Sequence, residues 1–420
     1  MQQFEKGETI RLEDGRSAIV DSFLGEGAQG AVYAVSVDGQ RKALKWFRKQ
    51  PSERFLKNIR KNIKDGSPSP TFLWPEALAK VRTGGIGYLM PLKPDGCYEF
   101  TKFRMAKVRF SSFRAIIEAA MNLCDAFRLL HANGLSYQDL NDGGFFINPN
   151  TGDVRICDCD NVYPHGENSG ILGKARYMAP EVVMGKTLPN SYTDRFSLTV
   201  ILFMLFCVDH PFEGFNVIKH PCLTEAFEQR LFGKDICFIF NDEKDINRPV
   251  RGVHRNALTM WPLLPEELRG KFKEQFSDRI INSPQERMTE MQWVDVFISL
   301  RDHLMKCPHC GDETFVYGNQ PCLNPRCRKP IQVTYVMEGA GRSIPLIKGN
   351  IIRFERTGVP SGVVIDKNDA SGLLLIKNLT EKAWTVLTPS GKSLSLAPGG
   401  FMPVKQDLVI STIFKFKINK

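Results

Sequence analysis

The chain has 420 residues, a net charge of +10, and 24% charged against 42% hydrophobic residues. This balance excludes a disordered chain and suits two or three globular domains. The opening Met1-Gln2-Gln3-Phe4-Glu5-Lys6 lacks the apolar core of a signal peptide, and the most apolar run, Phe196 to Val208, is too short to span a bilayer, so a cytoplasmic protein with no membrane partner is expected.

The first informative stretch is Leu24-Gly25-Glu26-Gly27-Ala28-Gln29-Gly30-Ala31-Val32-Tyr33. It lies between two strand-like runs, Ala18 to Leu24 and Ala31 to Val37, and a turn follows at Asp38-Gly39. A glycine-rich hairpin lets backbone N–H groups approach phosphates without Cβ clashes. Ala43-Leu44-Lys45-Trp46-Phe47 comes next, an apolar strand whose single inward Lys45 suits a contact to nucleotide phosphates. Ser52 to Lys64 reads as a helix capped by Ser52, with Phe55, Ile59 and Ile63 at helical spacing. The basic run Arg41 to Asp65 fits a solvated helix face beside a phosphate site, with an acidic partner or nucleic acid as the alternative. Ile86-Gly87-Tyr88-Leu89-Met90-Pro91-Leu92 reads as a strand entering a hinge.

Phe113 to His131 is an amphipathic helix stopped at Gly134. Beyond it, Asp139 in Tyr137-Gln138-Asp139 and Asp158 in Cys157-Asp158-Cys159-Asp160-Asn161 each sit at the edge of an apolar strand. Phosphoryl transfer requires one carboxylate to accept a hydroxyl proton and another to hold magnesium against phosphates, and these two acids fit those roles.

In order, these parts resemble the eukaryotic-type, or Hanks-like, protein kinase fold over roughly residues 15 to 305. The landmarks are the glycine loop (Gly25, Gly27, Gly30), Lys45, Asp139, Asp158, Glu181 in Ala179-Pro180-Glu181, Asp194, and Arg287, which the resemblance pairs with Glu181. It implies ATP and Mg²⁺ or Mn²⁺ as cofactors, a protein substrate, and a nucleotide pocket of Val32, Ala43, Met90 and Leu92, with Met90 as gatekeeper. It also calls for an acid on the helix after Lys45, for which Glu53 is the candidate. Phe72-Leu73-Trp74-Pro75, Asp158-Cys159-Asp160-Asn161 and His210-Pro211-Phe212-Glu213-Gly214 resemble bacterial kinases of tellurite-resistance-type clusters, whose partners are a PP2C-type phosphatase and a von Willebrand A protein.

The sequence departs from that pattern at several places. Gln138 stands for the usual arginine before the base, Asn141 for the usual lysine, Gly144 for the metal-binding asparagine, and Gly173-Lys174 for Gly-Thr. Two readings follow: an active Ser/Thr kinase, or a nucleotide-binding pseudokinase that scaffolds its partners. Side chains at i and i+2 of an extended segment share a face. Asp160 is therefore expected to join Asp158 as a metal ligand, with Asn141 and Asp142 as alternatives and a backbone-bonded turn as the plain reading. Between Cys159 and Pro180 the hydroxyl residues are Tyr163, Ser169 and Tyr177, with no Thr, so control by an activating phosphate there is not expected.

Four of the eleven cysteines cluster at Cys307, Cys310, Cys322 and Cys327. Paired thiolates at short spacing point to a structural zinc ribbon, with His309 a bystander. From Ile331 onward the pattern is all β. Strands are expected at Ile351 to Phe354, Val363 to Ile365, Leu373 to Ile376, Trp384 to Leu387 and Ile413 to Ile418, with turns at Asn368-Asp369, Pro389-Ser390-Gly391 and Pro398-Gly399-Gly400. Phe414, Phe416 and Ile418 alternate with Lys415 and Lys417, giving one buried face. The segment is faintly similar to forkhead-associated sandwiches but lacks a phosphothreonine-reading Arg/Ser pair, so a docking or autoregulatory role is expected. The fold class is thus α+β: a bilobal kinase-like domain over 1–305, its lobes meeting near residue 92, a ribbon over 306–330 and a β-sandwich-like module over 331–420.

Overall fold

The computed structural model describes residues 4–27, 29–80, 85–168, 170, 172–220, 222, 224–356, 358–367 and 372–420. The expected turn at Asn368-Asp369, together with Ser169 and Ala28, lies outside the described residues. The chain divides into two compact units: Met1–Ser111, Glu118–Pro262 and Arg269–Trp293 form the first, and Ser112–Ile117, Leu263–Leu268 and Val294–Lys420 the second.

The first unit opens with a closed antiparallel barrel in the order β1 (Thr9–Leu12), β2 (Ser17–Glu26), β3 (Gly30–Val37), β4 (Gln40–Phe47), β6 (Ile86–Pro91) and β5 (Ala77–Lys80). The β3–β4 hairpin closes through Asp38 and Gly39, both at positive φ, the geometry that a tight two-residue turn requires. Period-two alternation then sorts the side chains of β4. Leu44 and Trp46 join Tyr33, Val35 and Leu89 in the barrel core, while Ala43 and Phe47 face a second cluster with Phe55, Leu56 and Ile59 of α1 (Glu53–Asp65). Lys45, between Ala43 and Phe47 in register, faces that second cluster. Ser52 caps α1 by accepting the Phe55 N–H, as the sequence predicts.

The helical half of this unit opens with β7 (Tyr98–Glu99), α2 (Phe100–Arg104) and, from Glu118 on, α3 (Phe113–Ala132). A hairpin of β9 (Phe145–Ile147) and β10 (Val154–Ile156) sets the two candidate acids at its two ends. The short pair β8 (Leu135–Ser136) and β11 (Tyr163–Pro164) brackets the same segment. The apolar run from Phe196 forms most of α5 (Ser191–Cys207), which follows α4 (Pro180–Val183). The helix starts earlier than its apolar run because Asn190 and Thr193 form a reciprocal capping box. Nearly all of α5 is buried, which explains why it shows no polar stripe. Among the described residues no helix is long and apolar enough to cross a membrane.

The second unit holds the cysteine cluster and the β module together. β12 (Leu304–Lys306) pairs with β13 (Glu313–Phe315). The module has one sheet of β14 (Val336–Gly339), β15 (Arg342–Pro345), β19 (Trp384–Leu387), β20 (Ser393–Leu396), β22 (Val409–Ser411) and β23 (Lys415–Asn419). The other consists of β16 (Ile351–Ile352), β17 (Gly362–Asp366), β18 (Leu374–Asn378) and β21 (Phe401–Pro403). Residues of both sheets fill one core around Met337, Ile376, Trp384, Val386 and Phe416. Phe416 and Ile418 are buried as expected, but Phe414 is 43% exposed, because it precedes β23 and lies outside the alternation. The compact units also differ from the expected bounds: Ile347 of the module packs into the cluster of Cys307, Cys322 and Ile331, so ribbon and module share apolar packing.

Candidate functional site

Gly30 opens β3 where no side chain fits: a Cβ there would lie 2.0 Å from the Trp46 carbonyl oxygen. Gly25 and Gly27 have open space around them, and Gly27 donates its N–H to the Gly30 carbonyl at 2.8 Å, closing the tip of the hairpin. Their lack of a side chain leaves the backbone of the hairpin tip bare. Beneath the hairpin, Val32, Leu92, Phe146 and Cys157 are half-buried against Ala43 and Met90, which pair across β4 and β6. The four expected pocket residues therefore come together. Phe146 and Cys157 complete the apolar wall. Phe146 had a readable signal: Phe145 and Ile147 on either side are fully buried in the hairpin, so the residue between them must face the other way.

Lys45 is the hub of the site. Its Nζ donates to Gln29 Oε1 at 2.8 Å, to Asp158 Oδ1 at 3.0 Å, and to both carboxylate oxygens of Asp160 at 3.0 Å. The Tyr88 hydroxyl, directly across the sheet from Lys45, donates to Asp160 Oδ1 at 2.9 Å. Burial works against the Lys45 charge, but Asp160 and Asp158 outweigh it and hold its pKa above the ordinary lysine value.

The two acids differ sharply in exposure. The Asp158 side chain is 43% exposed, and that of Asp160 is 0% exposed. Asp158 takes a left-handed backbone (φ 54°, ψ 35°) and Cys159–Asn161 turn as a 3-10 helix. The extended segment expected here is thus a tight turn. Asp160 turns inward and shares Lys45 Nζ with Asp158, with a further bond from Tyr88, so both its oxygens are engaged in a buried place. The alternatives are engaged as well, Asn141 with Asp139 and Lys174, and Asp142 with Arg104. The expected partner for Lys45 on α1 is corrected too. Glu53 lies exposed in the first turn, and the buried face of α1 carries Asn58 and Asn62, which both donate to the Val162 carbonyl at 2.7 and 3.0 Å.

Asp139 sits in the loop before β9. Burial pushes its carboxyl up to about 6, the Asn141 bond opposes this, and the charge of Asp158 adds to it. Asn141 Nδ2 reaches the Asp139 carboxylate at 3.2 Å, and Lys174 Nζ donates to Asn141 Oδ1 at 2.9 Å. A cation from the segment after the hairpin thus stands next to the loop position that carries no lysine. Gly144 is bare for a local reason: a Cβ there would meet the Tyr137 hydroxyl at 3.2 Å and the Asn141 carbonyl at 3.4 Å. Tyr137 fills that space and bonds its hydroxyl to the Cys157 carbonyl.

Behind the loop, Asp194 accepts the backbone N–H groups of Tyr137 at 2.6 Å and Gln138 at 2.9 Å, and fixes the left-handed Gln138 (φ 73°). His131 bonds Asp194 at 3.1 Å and Glu290 at 2.9 Å, and Arg195 also bonds Glu290 at 2.9 Å. Burial opposes the charge on His131, but the two carboxylates raise its pKa to about 9, and burial of Glu290 is outweighed by His131 and Arg195, which lower it to about 2. Gln138 itself donates to Ser136 and to the Glu167 carbonyl and accepts from Asn168, so neutral bonds tether the following segment. Arg287 and Glu181 form the expected pair, with two bonds of 2.7 and 2.8 Å.

In the second unit, the Sγ atoms of Cys307, Cys310, Cys322 and Cys327 lie within 4.8 Å of one another, with Cys307–Cys327 at 3.9 Å and Cys310–Cys322 at 3.7 Å. Zinc–sulfur bonds of about 2.3 Å in a tetrahedron put sulfurs about 3.8 Å apart, so the four thiolates fit that ion. His309 is exposed between them.

Comparison with known proteins agrees with this geometry. Residues 97–292 match the protein kinase domain family. Protein kinase C delta type of Mus musculus is 32% identical over 113 residues, covering 26% of this chain and 16% of that protein. Serine/threonine-protein kinase SIK2 of Gallus gallus is 31% identical over 120 residues, 27% of this chain and 15% of the relative. Serine/threonine-protein kinase Pkn1 of Myxococcus xanthus is 29% identical over 107 residues, 23% of this chain and 15% of the relative. The chain spans about a sixth of the length of these curated relatives. Over residues 97–292, from the end of the barrel through Asp139, Asp158, Glu181, Asp194 and Arg287, this chain is therefore similar to the protein kinase domain family.

Proposed function

We propose that the protein transfers the γ-phosphoryl group of ATP to a Ser or Thr hydroxyl of a protein substrate. The observation that carries this reading is the convergence of Lys45, Asp158 and Asp139, from three separate elements, beneath a glycine hairpin and beside an apolar slot. The slot of Val32, Ala43, Met90, Leu92, Phe146 and Cys157 receives the adenine, and the bare hairpin and Lys45 receive the phosphates. The half-exposed carboxylate of Asp158 is the hard-oxygen ligand suited to Mg²⁺ or Mn²⁺, which neutralises phosphate charge when bound. Asp139 accepts the proton of the substrate hydroxyl as its oxygen bonds to the γ-phosphorus and the bond from that phosphorus to the leaving ADP oxygen breaks. Lys174 supports Asn141 next to this base. Gly144 offers no side chain, so Asp158 is the one protein carboxylate assigned to the ion.

Incubating the pure protein with labelled ATP and Mg²⁺ or Mn²⁺, beside an Asp139→Asn variant, tests the reading. Label transfer by the wild type and not by the variant supports it. Nucleotide binding without transfer would favour the scaffold reading, which draws on the missing ligand at Gly144. That reading, and the resemblance to tellurite-cluster kinases, name a PP2C-type phosphatase and a von Willebrand A protein as partners, which co-purification from the native cell would test. Cytoplasmic location belongs to the same proposal. One structural zinc per chain is proposed for the four cysteines, and elemental analysis of protein purified without chelator should find it.

A further inference from the structure

In the protein kinase scheme, the lysine that touches the phosphates is held by an acid on the neighbouring helix, so movement of the helix controls the site. This chain is built differently. Helix α1 turns neutral Asn58 and Asn62 inward, and Glu53 is exposed. The acid that grips Lys45 comes from the turn two residues beyond Asp158. We propose that Asp160, oriented by Tyr88, is the positioning residue for Lys45, and that placement of the lysine is tied to the turn carrying Asp158 and not to an acid of helix α1. This inference rests on the proposed phosphotransfer site and deepens it.

Three observations carry it. Asp160 is fully buried, holds Nζ with both oxygens, and has a third bond from Tyr88, so its carboxylate is fixed from two sides. The other two acceptors of Lys45 are of another kind. Asp158 is half-exposed, and Gln29 lies in the glycine hairpin, so both can yield to phosphate oxygens while the Asp160 grip stays. Lastly, the α1 asparagines bond Val162, two residues after Asp160, so the helix is a follower of this turn: it docks on the backbone of the segment that holds the lysine. A charged bond inside a water-poor site is strong and directional, which is what a positioning contact needs.

The test uses the full chain and an acyl-phosphate derivative of ATP, which acylates the lysine lying against bound phosphates. Acylation of Lys45 is followed by peptide mass spectrometry, with thermal unfolding as the measure of structure. Losing one charged bond should slow acylation about tenfold or more in Asp160→Asn, with a cooperative unfolding transition retained. The double variant Asn58→Ala/Asn62→Ala and the variant Glu53→Gln should stay within about twofold of wild type. If Asp160→Asn does not fold, Tyr88→Phe, which removes only the orienting hydroxyl, should still slow acylation severalfold. Wild-type acylation in Asp160→Asn overturns the proposal, as does wild-type acylation in Tyr88→Phe where the first variant fails to fold. So does an equal loss in the folded α1 variants. Acylation requires nucleotide binding alone, so absence of phosphotransfer by the wild type would count against the kinase reading and leave this inference standing.

Discussion

Two buried ionic clusters in the first unit do opposite work. Around Lys45, one cation has more acceptors than it needs, and one of them, Asp158, faces solvent. Around Asp194, the acids and cations close on one another: His131, Arg195, Glu290 and two backbone N–H groups leave no carboxylate open. The first arrangement can exchange a partner for a ligand, whereas the second can only hold or break. Surplus acceptors around a buried cation are thus a mark of a binding site, and full mutual satisfaction is a mark of a strut.

The largest effect should come from breaking the exchanging cluster. Lys45→Met removes the donor aimed at phosphate and should lower phosphotransfer by about 10²–10³-fold or more, in a protein that remains folded by circular dichroism. Undiminished transfer would place Lys45 outside the site. Breaking the closed cluster should instead cost stability. Glu290→Ala leaves His131 and Arg195 without a shared buried partner and should cost about 3–5 kcal/mol in urea unfolding. A loss below 1 kcal/mol would mean that water compensates the pair.

The pH responses sharpen the contrast, because the closed cluster should lose stability at both pH extremes, whereas the site should lose transfer at low pH alone. His131 has a folded pKa of about 9 against an ordinary 6.5, so its stabilisation is fully present below the ordinary value and is lost as pH rises through about 9. Glu290, lowered to about 2 from 4.5, contributes above 4.5 and is lost as pH falls toward 2. Asp139 must be ionised to accept a proton, and with its pKa raised to about 6 from 3.8, transfer should fall about tenfold per pH unit below that point while the fold persists. A rate that stays flat down to pH 5 would remove Asp139 as the base. The smallest effect is expected at Tyr163, whose hydroxyl is buried without a partner. Tyr163→Phe should change stability by no more than about 0.5 kcal/mol and leave transfer intact. Loss of activity in that folded variant would restore the idea of an activating phosphate on this segment.

Much of this site was legible in the sequence because it rests on short-range pattern. The glycine spacing, the alternation of β4 and the apolar run of α5 each specify a local structure, and the order of the acids along the chain underlies the roles proposed for them. What escaped was set by turn geometry and distance. An extended segment would set Asp160 on the same face as Asp158, whereas the left-handed Asp158 makes a tight turn that buries Asp160 and brings the two carboxylates together on Lys45. Tyr88 and Gln29 have no motif of their own and acquire meaning only where the sheet and hairpin bring them to Lys45. Glu53 illustrates the opposite error: an acid of the right type on the right helix, at a position facing water. In the second unit, Trp384–Leu387 falls on its observed bounds, whereas β14, β15, β20, β21 and β22 were not read from the sequence: β20 alternates Ser and Leu over only four residues, and β21 and β22 span three each.

The shared packing of Ile347 with the cysteine ribbon sets a limit on how this chain can be divided. Ribbon and β module look like separable inheritance in the sequence, each with its own signature, yet Ile347 fills space against Cys307, Cys322 and Ile331. A chain cut after Pro330 would bare that apolar surface on the ribbon, and one begun at Ile331 would bare it on the module. A graft of the ribbon alone onto another protein would have to bring replacements for Ile331 and Ile347, which both lie outside its own boundary.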